Sequence, residues 1–440
     1  MSMIVTMKKR NEQGQLMIGN INAVTLTEHY GTPLYAYDVS QIRDKARSFK
    51  QAFEEAGTEY QVAYASKAFS CIAMVQLAHE EGLSLDVVSG GELYTAQQAG
   101  FPMERVHFHG NNKSRQEIHE ALIAGIGCFV VDNFHEMEIL AEETRNMDVE
   151  ARILLRVTPG VEAHTHAYIS TGGEDSKFGF DLQSGQADAA VEKALDHSGL
   201  HLLGVHCHIG SQIFETTGFV QAIATLYQYL GHWHTVYGFI PEVVNTGGGF
   251  GIRYTSNDRP LEPGAFVEAV VKAVRNESTN HHMPVPEIWI EPGRALVGEA
   301  GTTLYTIGSQ KEIEGVRHYI SVDGGMTDNI RPALYNAVYD AELANRTEGQ
   351  EEKTYAIAGK GCESGDMLMY DLPLPEVSPG DILAVYSTGA YGFSMASNYN
   401  RLPRPPVVFV ENERHQLVVE RESYADLVRN DLPLSSNELR

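Results

Sequence analysis

A chain of 440 residues is long enough for a large core and two domains, and 43% hydrophobic with 21% charged residues excludes a fibrous or disordered polymer. The formal net charge of -25 argues against a nucleic-acid or anionic-membrane partner, although a local basic pocket for one phosphate is still allowed. Cys71, Cys128, Cys207 and Cys362 form no CxxC pair, no apolar run approaches the ~18 residues of a membrane span, and Met1 to Arg10 lacks an apolar export core. A cytoplasmic protein is expected.

Residues 1 to 35 hold short strand-like pieces around Leu16–Ile18 and Leu34–Tyr37, which read as edge strands in want of a partner. From Val39 to Ala56 the period is helical, with Ile42, Ala46, Phe49 and Phe53 on one stripe. Apolar runs then recur at Gln61–Ala65, Leu83–Val88, Arg105–Phe108, Cys128–Val131, Arg152–Val157, Leu202–Cys207, Glu242–Asn245 and Ile288–Ile290. Between most of them lie amphipathic stretches such as Ile72–His79, Glu92–Ala99, Gln116–Ala124 and Ala265–Val274, the pattern of βα units feeding a parallel sheet. The expected fold class is α/β, with a (β/α)8 barrel over 36–300. An open doubly wound sheet is the alternative, because period alone does not reveal closure.

After Gly301, Thr302–Ile307, Tyr319–Asp323, Thr354–Ala358, Asp381–Tyr386 and Val407–Val410 read as strands without intervening helices, the last forming a hairpin with Gln416–Arg421. Residues 301–440 thus predict a second, mostly β domain, and the strands of 1–35 are expected to join its sheet.

The carboxyl ends of the barrel runs carry Lys67, Ser89-Gly90-Gly91, His109-Gly110-Asn111-Asn112, Asp132-Asn133, Arg156, His206 with His208, Gly247-Gly248-Gly249, and Glu291-Pro292-Gly293-Arg294. These ends converge on one mouth in a barrel, so a small polar ligand is expected there. Lys67 ends an apolar run; in an apolar pocket its amine would be neutral and able to form an imine with a carbonyl, whereas the plain alternative is a lysine that reaches to water. Glycines after strands 7 and 8 can bring backbone N–H groups to a phosphate, which together with Lys67 points to pyridoxal phosphate. Glu291 can then pair with the pyridine nitrogen, or else with Arg294 in a structural ion pair. His206 and His208 would share one face of a strand, and zinc is their rival reading. No HExxH or paired CxxC supplies a third ligand, so no metal is expected and a ring stacked on the cofactor fits better.

The runs Tyr64-Ala65-Ser66-Lys67-Ala68, Asp86-Val87-Val88-Ser89-Gly90-Gly91-Glu92, His206-Cys207-His208-Ile209-Gly210-Ser211-Gln212, Gly247-Gly248-Gly249, Glu291-Pro292-Gly293-Arg294 and Cys362-Glu363-Ser364-Gly365-Asp366 resemble the motifs of the fold-type III pyridoxal-phosphate decarboxylases. The resemblance runs in order from about Gly31 to Tyr424. It implies that Lys67 holds pyridoxal 5′-phosphate, that His208 stacks on its ring, and that Ser211, Gly249, Glu291, Gly293 and Arg294 line its phosphate and pyridine sides. It further implies that Arg294, Arg331 and Tyr335 grip the substrate, that Glu363 reads its distal end, and that Tyr391 touches both. Cys362 would be the acid, reaching the site from a second subunit, so a homodimer with shared active sites is implied. Two cations and an anion in Arg294, Arg331 and Glu363 match a diamino-dicarboxylate. The implied reaction is decarboxylation of meso-2,6-diaminopimelate to L-lysine; ornithine or arginine on the same scaffold is the alternative.

Overall fold

The computed structural model describes residues 9–161, 176–347 and 353–434. Among these, Gln41–Arg253 and Asn257–Glu299 form one unit, and the residues within Met1–Ser40, Tyr254–Ser256 and Ala300–Arg440 form the other.

The first unit is a closed barrel of parallel strands, Tyr60–Ala65, Ser84–Val87, Val106–Phe108, Cys128–Val131, Ala151–Thr158, Leu200–His206, Val243–Asn245 and Glu287–Ile290. Each pairs with the next, and the last returns to the first with Trp289 opposite Gln61, which removes the open-sheet alternative. The strands are nearly continuous apolar runs because a parallel barrel buries both faces. Cys128, Val130, Leu154, Leu203, Val243 and Trp289 pack together as an apolar cluster, and the His107 ring stacks on Trp289 at 4.3 Å.

Short polar residues fix where the helices start. Ser89, Ser114 and Asn133 each accept the backbone N–H three residues on, and Ser114 completes a capping box with Glu117. Each cap sets the exit of the loop before it. Buried Lys113 adds to this by donating to the carbonyls of Gly110 and Val130 and to Glu136, so the loop after the third strand is tied down from within.

In the second unit Gly301–Ile313 is the long strand, pairing with Arg317–Val322, Ile382–Val385 and Leu34–Asp38. Leu34–Asp38 is an interior strand and not an edge one, because Val407–Glu411 pairs in parallel along its other side. Its Leu34, Tyr35, Ala36 and Tyr37 are all buried accordingly. Met17–Ile18 does not join this sheet. Among the described strands it pairs with Ile21–Asn22, while Leu16 and Ile18 pack into a core cluster with Leu34, Leu304, Ala384 and Val410. The expected helix-free run is interrupted by the short helix Arg331–Tyr335, and the strands Ala341–Leu343 and Met367–Leu374 were not anticipated from the sequence. The final hairpin, Val407–Glu411 with Arg414–Val419, turns through Asn412 and Glu413, both at positive φ.

Candidate active site

Four barrel strands and the loops beyond them converge on Glu291. Its carboxylate is buried, Asn245 Nδ2 donates to Oε1 at 2.6 Å, and His206 Nε2 bonds Oε2 at 3.1 Å. His109 Nε2 lies 3.1 Å from Oε1 as an electrostatic contact without the alignment of a hydrogen bond. Burial works to raise the Glu291 carboxyl, but the two imidazoles hold it well below the usual carboxylate range. Arg294 Nη2 donates to Ser211 Oγ at 2.8 Å, while the Glu291 carboxylate is met by Asn245, His206 and His109.

Asp86 stands beside this cluster, with Oδ1 3.7 Å from His109 Nε2. Burial pushes its carboxyl up to about 6, opposed by His109 and by Lys67. Lys67 itself departs from expectation: it lies on a turn, Ser66–Ala68, just past the first strand, and its side chain is exposed. Its charged neighbours are Asp86 and Glu92, so the amine faces carboxylates and not an apolar wall. The reason is register. Ala65 lies abreast of Asp86, so the residue after the strand meets the polar end of the next one.

His206 and His208 do not form a paired face, because the strand ends at His206. His206 turns to Glu291, whereas His208 Nδ1 accepts the Gly248 N–H at 3.2 Å. Burial, with Lys67 and Arg156 nearby, drives the His208 imidazole far below its ordinary value, so it is a neutral ring. The third ligand-type group missing from the zinc reading is present, as the ligand atoms of His109, His206 and Glu291 lie within 4.8 Å of one another. Of the two histidines, His206 Nε2 meets Glu291 Oε2 at 3.1 Å in a hydrogen bond.

The glycine loop is shaped by close approach. A Cβ on Gly248 would stand 2.0 Å from the Glu291 carbonyl oxygen, and one on Gly249, at φ +95°, 2.1 Å from that of Gly210. Gly247 N donates to Asn245 Oδ1 and Gly248 N to His208 Nδ1. Gly249 O and Gly251 N pair with the backbone of Ile213, and Phe250 stacks on Phe219 at 5.4 Å, so the loops after strands 6 and 7 move as one piece. A Cβ on Gly293 would press on Ala65 at 3.0 Å.

Arg331, Tyr335, Cys362, Glu363 and Tyr391 belong to the other unit. Arg331 is buried, its guanidinium over Tyr254 at 4.7 Å and near Tyr335 at 6.0 Å, with Nη1 donating to Tyr339 Oη at 2.6 Å. Tyr391, at φ +61°, acts electrostatically on the same guanidinium. Cys362 and Glu363 are exposed. The Cys362 turn is gripped from its backbone: its N–H donates to Asn400 Oδ1 at 2.7 Å, Tyr399 Oη donates to its carbonyl at 3.2 Å, and Asp366 accepts from Gly361 N and Met326 N.

Sequence reasoning gave no role to Asp86, Asn245 or His109. The first two sit inside apolar runs, and only their place near the carboxyl end of a strand could have marked them.

Residues 39–298 match the pyridoxal-binding domain of the pyridoxal-dependent decarboxylases. The chain belongs to this family. Over 424 residues it is 65% identical to the diaminopimelate decarboxylase of Halalkalibacterium halodurans, covering 96% of this chain and 97% of the relative. The diaminopimelate decarboxylase of Bacillus subtilis is 61% identical over 428 residues, 97% and 98% of the two chains. A crystal structure of diaminopimelate decarboxylase from M. jannaschii in co-complex with L-lysine superposes with a TM-score of 0.90 at 35% identity, covering 96% and 97%.

Proposed function

We infer that the chain decarboxylates meso-2,6-diaminopimelate, releasing carbon dioxide and L-lysine. The observation that carries this is end-to-end likeness, above 60% identity across more than nine-tenths of both chains, to enzymes named for that reaction. Pyridoxal 5′-phosphate, when bound, supplies an aldehyde that condenses with amines and a ring that takes up the electron pair left when carbon dioxide departs.

The barrel residues fit that group on chemical grounds. Lys67 offers an exposed amine, Glu291 a carboxylate ionised in a buried setting, and His208 a neutral ring. The backbone of Gly249 runs too close to Gly210 to admit a side chain, and that of Gly293 lies tight against Ala65. In this reading Lys67 holds the cofactor, Glu291 keeps its ring nitrogen protonated, His208 stacks on the ring, and Ser211, Gly249, Gly293 and Arg294 hold the phosphate. Within 1–35 and 301–440, Arg331 and Tyr335 take a substrate carboxylate, Glu363 takes the far ammonium, and Tyr391 orients both partners. Cys362 Sγ holds the proton delivered to Cα after carbon dioxide leaves. Cys362 and Glu363 reach the site of a second copy, so the working form is a homodimer. A cytoplasmic location completes the reading: all four cysteines are free thiols, and among the described residues no helix is long and apolar enough to cross a membrane.

The test is purified protein with pyridoxal 5′-phosphate and, in parallel, meso-diaminopimelate, ornithine and arginine. Carbon dioxide and L-lysine in equal amounts from the first alone are expected. Turnover of ornithine or arginine in preference would overturn the substrate assignment.

A further inference from the structure

We infer that His109 and His206 are positioning residues for Glu291, together holding its carboxylate ionised and in one orientation so that a single acceptor direction is left for the ring nitrogen of the cofactor. The inference deepens the cofactor reading above and rests on it.

A carboxylate accepts in about four directions. Asn245 takes one at 2.6 Å and His206 one at 3.1 Å, while His109 Nε2, 3.1 Å from the oxygen that Asn245 holds, bars a third to any other donor. One remains. A carboxyl this buried would by itself take up a proton, since the charged form is the one that burial penalises. A protonated Glu291 would meet a pyridine nitrogen as a donor, and the ring would lose the positive charge that makes it accept electrons.

Geometry assigns the proton on His109. Its Nε2 faces two carboxylates, Glu291 at 3.1 Å and Asp86 at 3.7 Å, and a nitrogen lone pair aimed at two anions would be repelled by both. His206 and His109 meet edge to face at 5.0 Å, which fixes both rings against turning. The other groups acting on the cluster include Lys67, Glu92, Arg152, Arg156, Cys207, His107 and the neutral His208. Burial pushes His107 down to about 3, so it adds no charge. Asn245 is a neutral amide and adds none. The two histidines are thus the groups that directly contact Glu291 and can offset its burial.

A purely structural role, closing the ring of strands, would not change the protonation of Glu291. Infrared difference spectra of cofactor-free parent against Glu291→Gln therefore decide. At neutral pH the parent is expected to show carboxylate bands for Glu291 and no carbonyl band of a protonated acid. In His109→Phe and His206→Phe the protonated-acid band appears and pyridoxal 5′-phosphate binding weakens by about tenfold, the scale of one charge-assisted contact. His109→Gln, which keeps an N–H at the same reach, recovers part of both. A protonated-acid band in the parent, or its absence from folded Phe variants, overturns the inference; should those variants not fold, the parent and the Gln variant carry the decision. A parent with ionised Glu291 that takes up no pyridoxal 5′-phosphate supports the histidine clamp and overturns the cofactor reading.

Discussion

Lys67 is exposed, and its amine lies within electrostatic reach of the carboxylates of Asp86 and Glu92. Deleting it therefore leaves packing intact. Lys67→Ala is expected to melt within about 3 °C of the parent, to lose the visible absorbance of bound cofactor, and to lose turnover by about a thousandfold. Retention of the absorbance band in that variant would remove Lys67 from its role. Cys362 is exposed, and Cys362→Ala should lower lysine formation by about a hundredfold while cofactor absorbance stays. A third residue gives a pH-dependent stability. Burial raises the Asp328 carboxyl from its ordinary 3.8 to about 7. The folded state then binds a proton between these values that the unfolded chain has released, so stability falls as pH rises through that window. Asp328→Asn lacks that fall. Its melting temperature should gain on the parent between pH 4 and pH 8, and a constant difference across that range would contradict the assignment.

Strand ends and loops decide the chemistry at the next scale. The loop after strand 7 has no room for side chains at Gly248 or Gly249, so Gly249→Ala should displace the Gly210 and Ile213 loop with it and abolish cofactor binding. The same change at Gly264, which nothing approaches within 4 Å, should be silent in a thermal melt and in cofactor titration. The Cys362 turn hangs on Asn400, whose φ of +54° glycine can also adopt. Asn400→Gly removes only the acceptor, and kcat is expected to fall by about tenfold with the cofactor spectrum unchanged.

The barrel strands and their polar carboxyl ends were legible in sequence because a parallel strand buried on both faces stands out as an apolar run. What those ends meet was not legible. Asp86 comes from the strand next to the one that Lys67 follows, and only the register places them together, whereas His109 and Glu291 follow the third and eighth strands and meet because the barrel closes. Leu34–Asp38 read as an edge strand because Gly31 and Pro33 precede it, whereas its two partners come from far downstream. The helix at Arg331 was missed for a similar local reason, since Pro332 suits a first helical turn as readily as a loop.

Across the whole molecule, the barrel carries Lys67 and Glu291 while Arg331, Cys362 and Glu363 belong to the other unit, so neither unit alone holds the complete set. In the proposed homodimer the two contributions come from different copies. Mixing inactive Lys67→Ala with inactive Cys362→Ala and allowing subunits to exchange should then restore about a quarter of parental activity, because half the dimers are mixed and each of those keeps one intact site. No recovery would place both residues of a site in one chain. The most direct measurement of the central claim is product analysis with meso-diaminopimelate: the cofactor-loaded protein should yield carbon dioxide and L-lysine one for one, and Lys67→Ala neither. A loaded protein that returns diaminopimelate unchanged, or releases no carbon dioxide from it, contradicts the account.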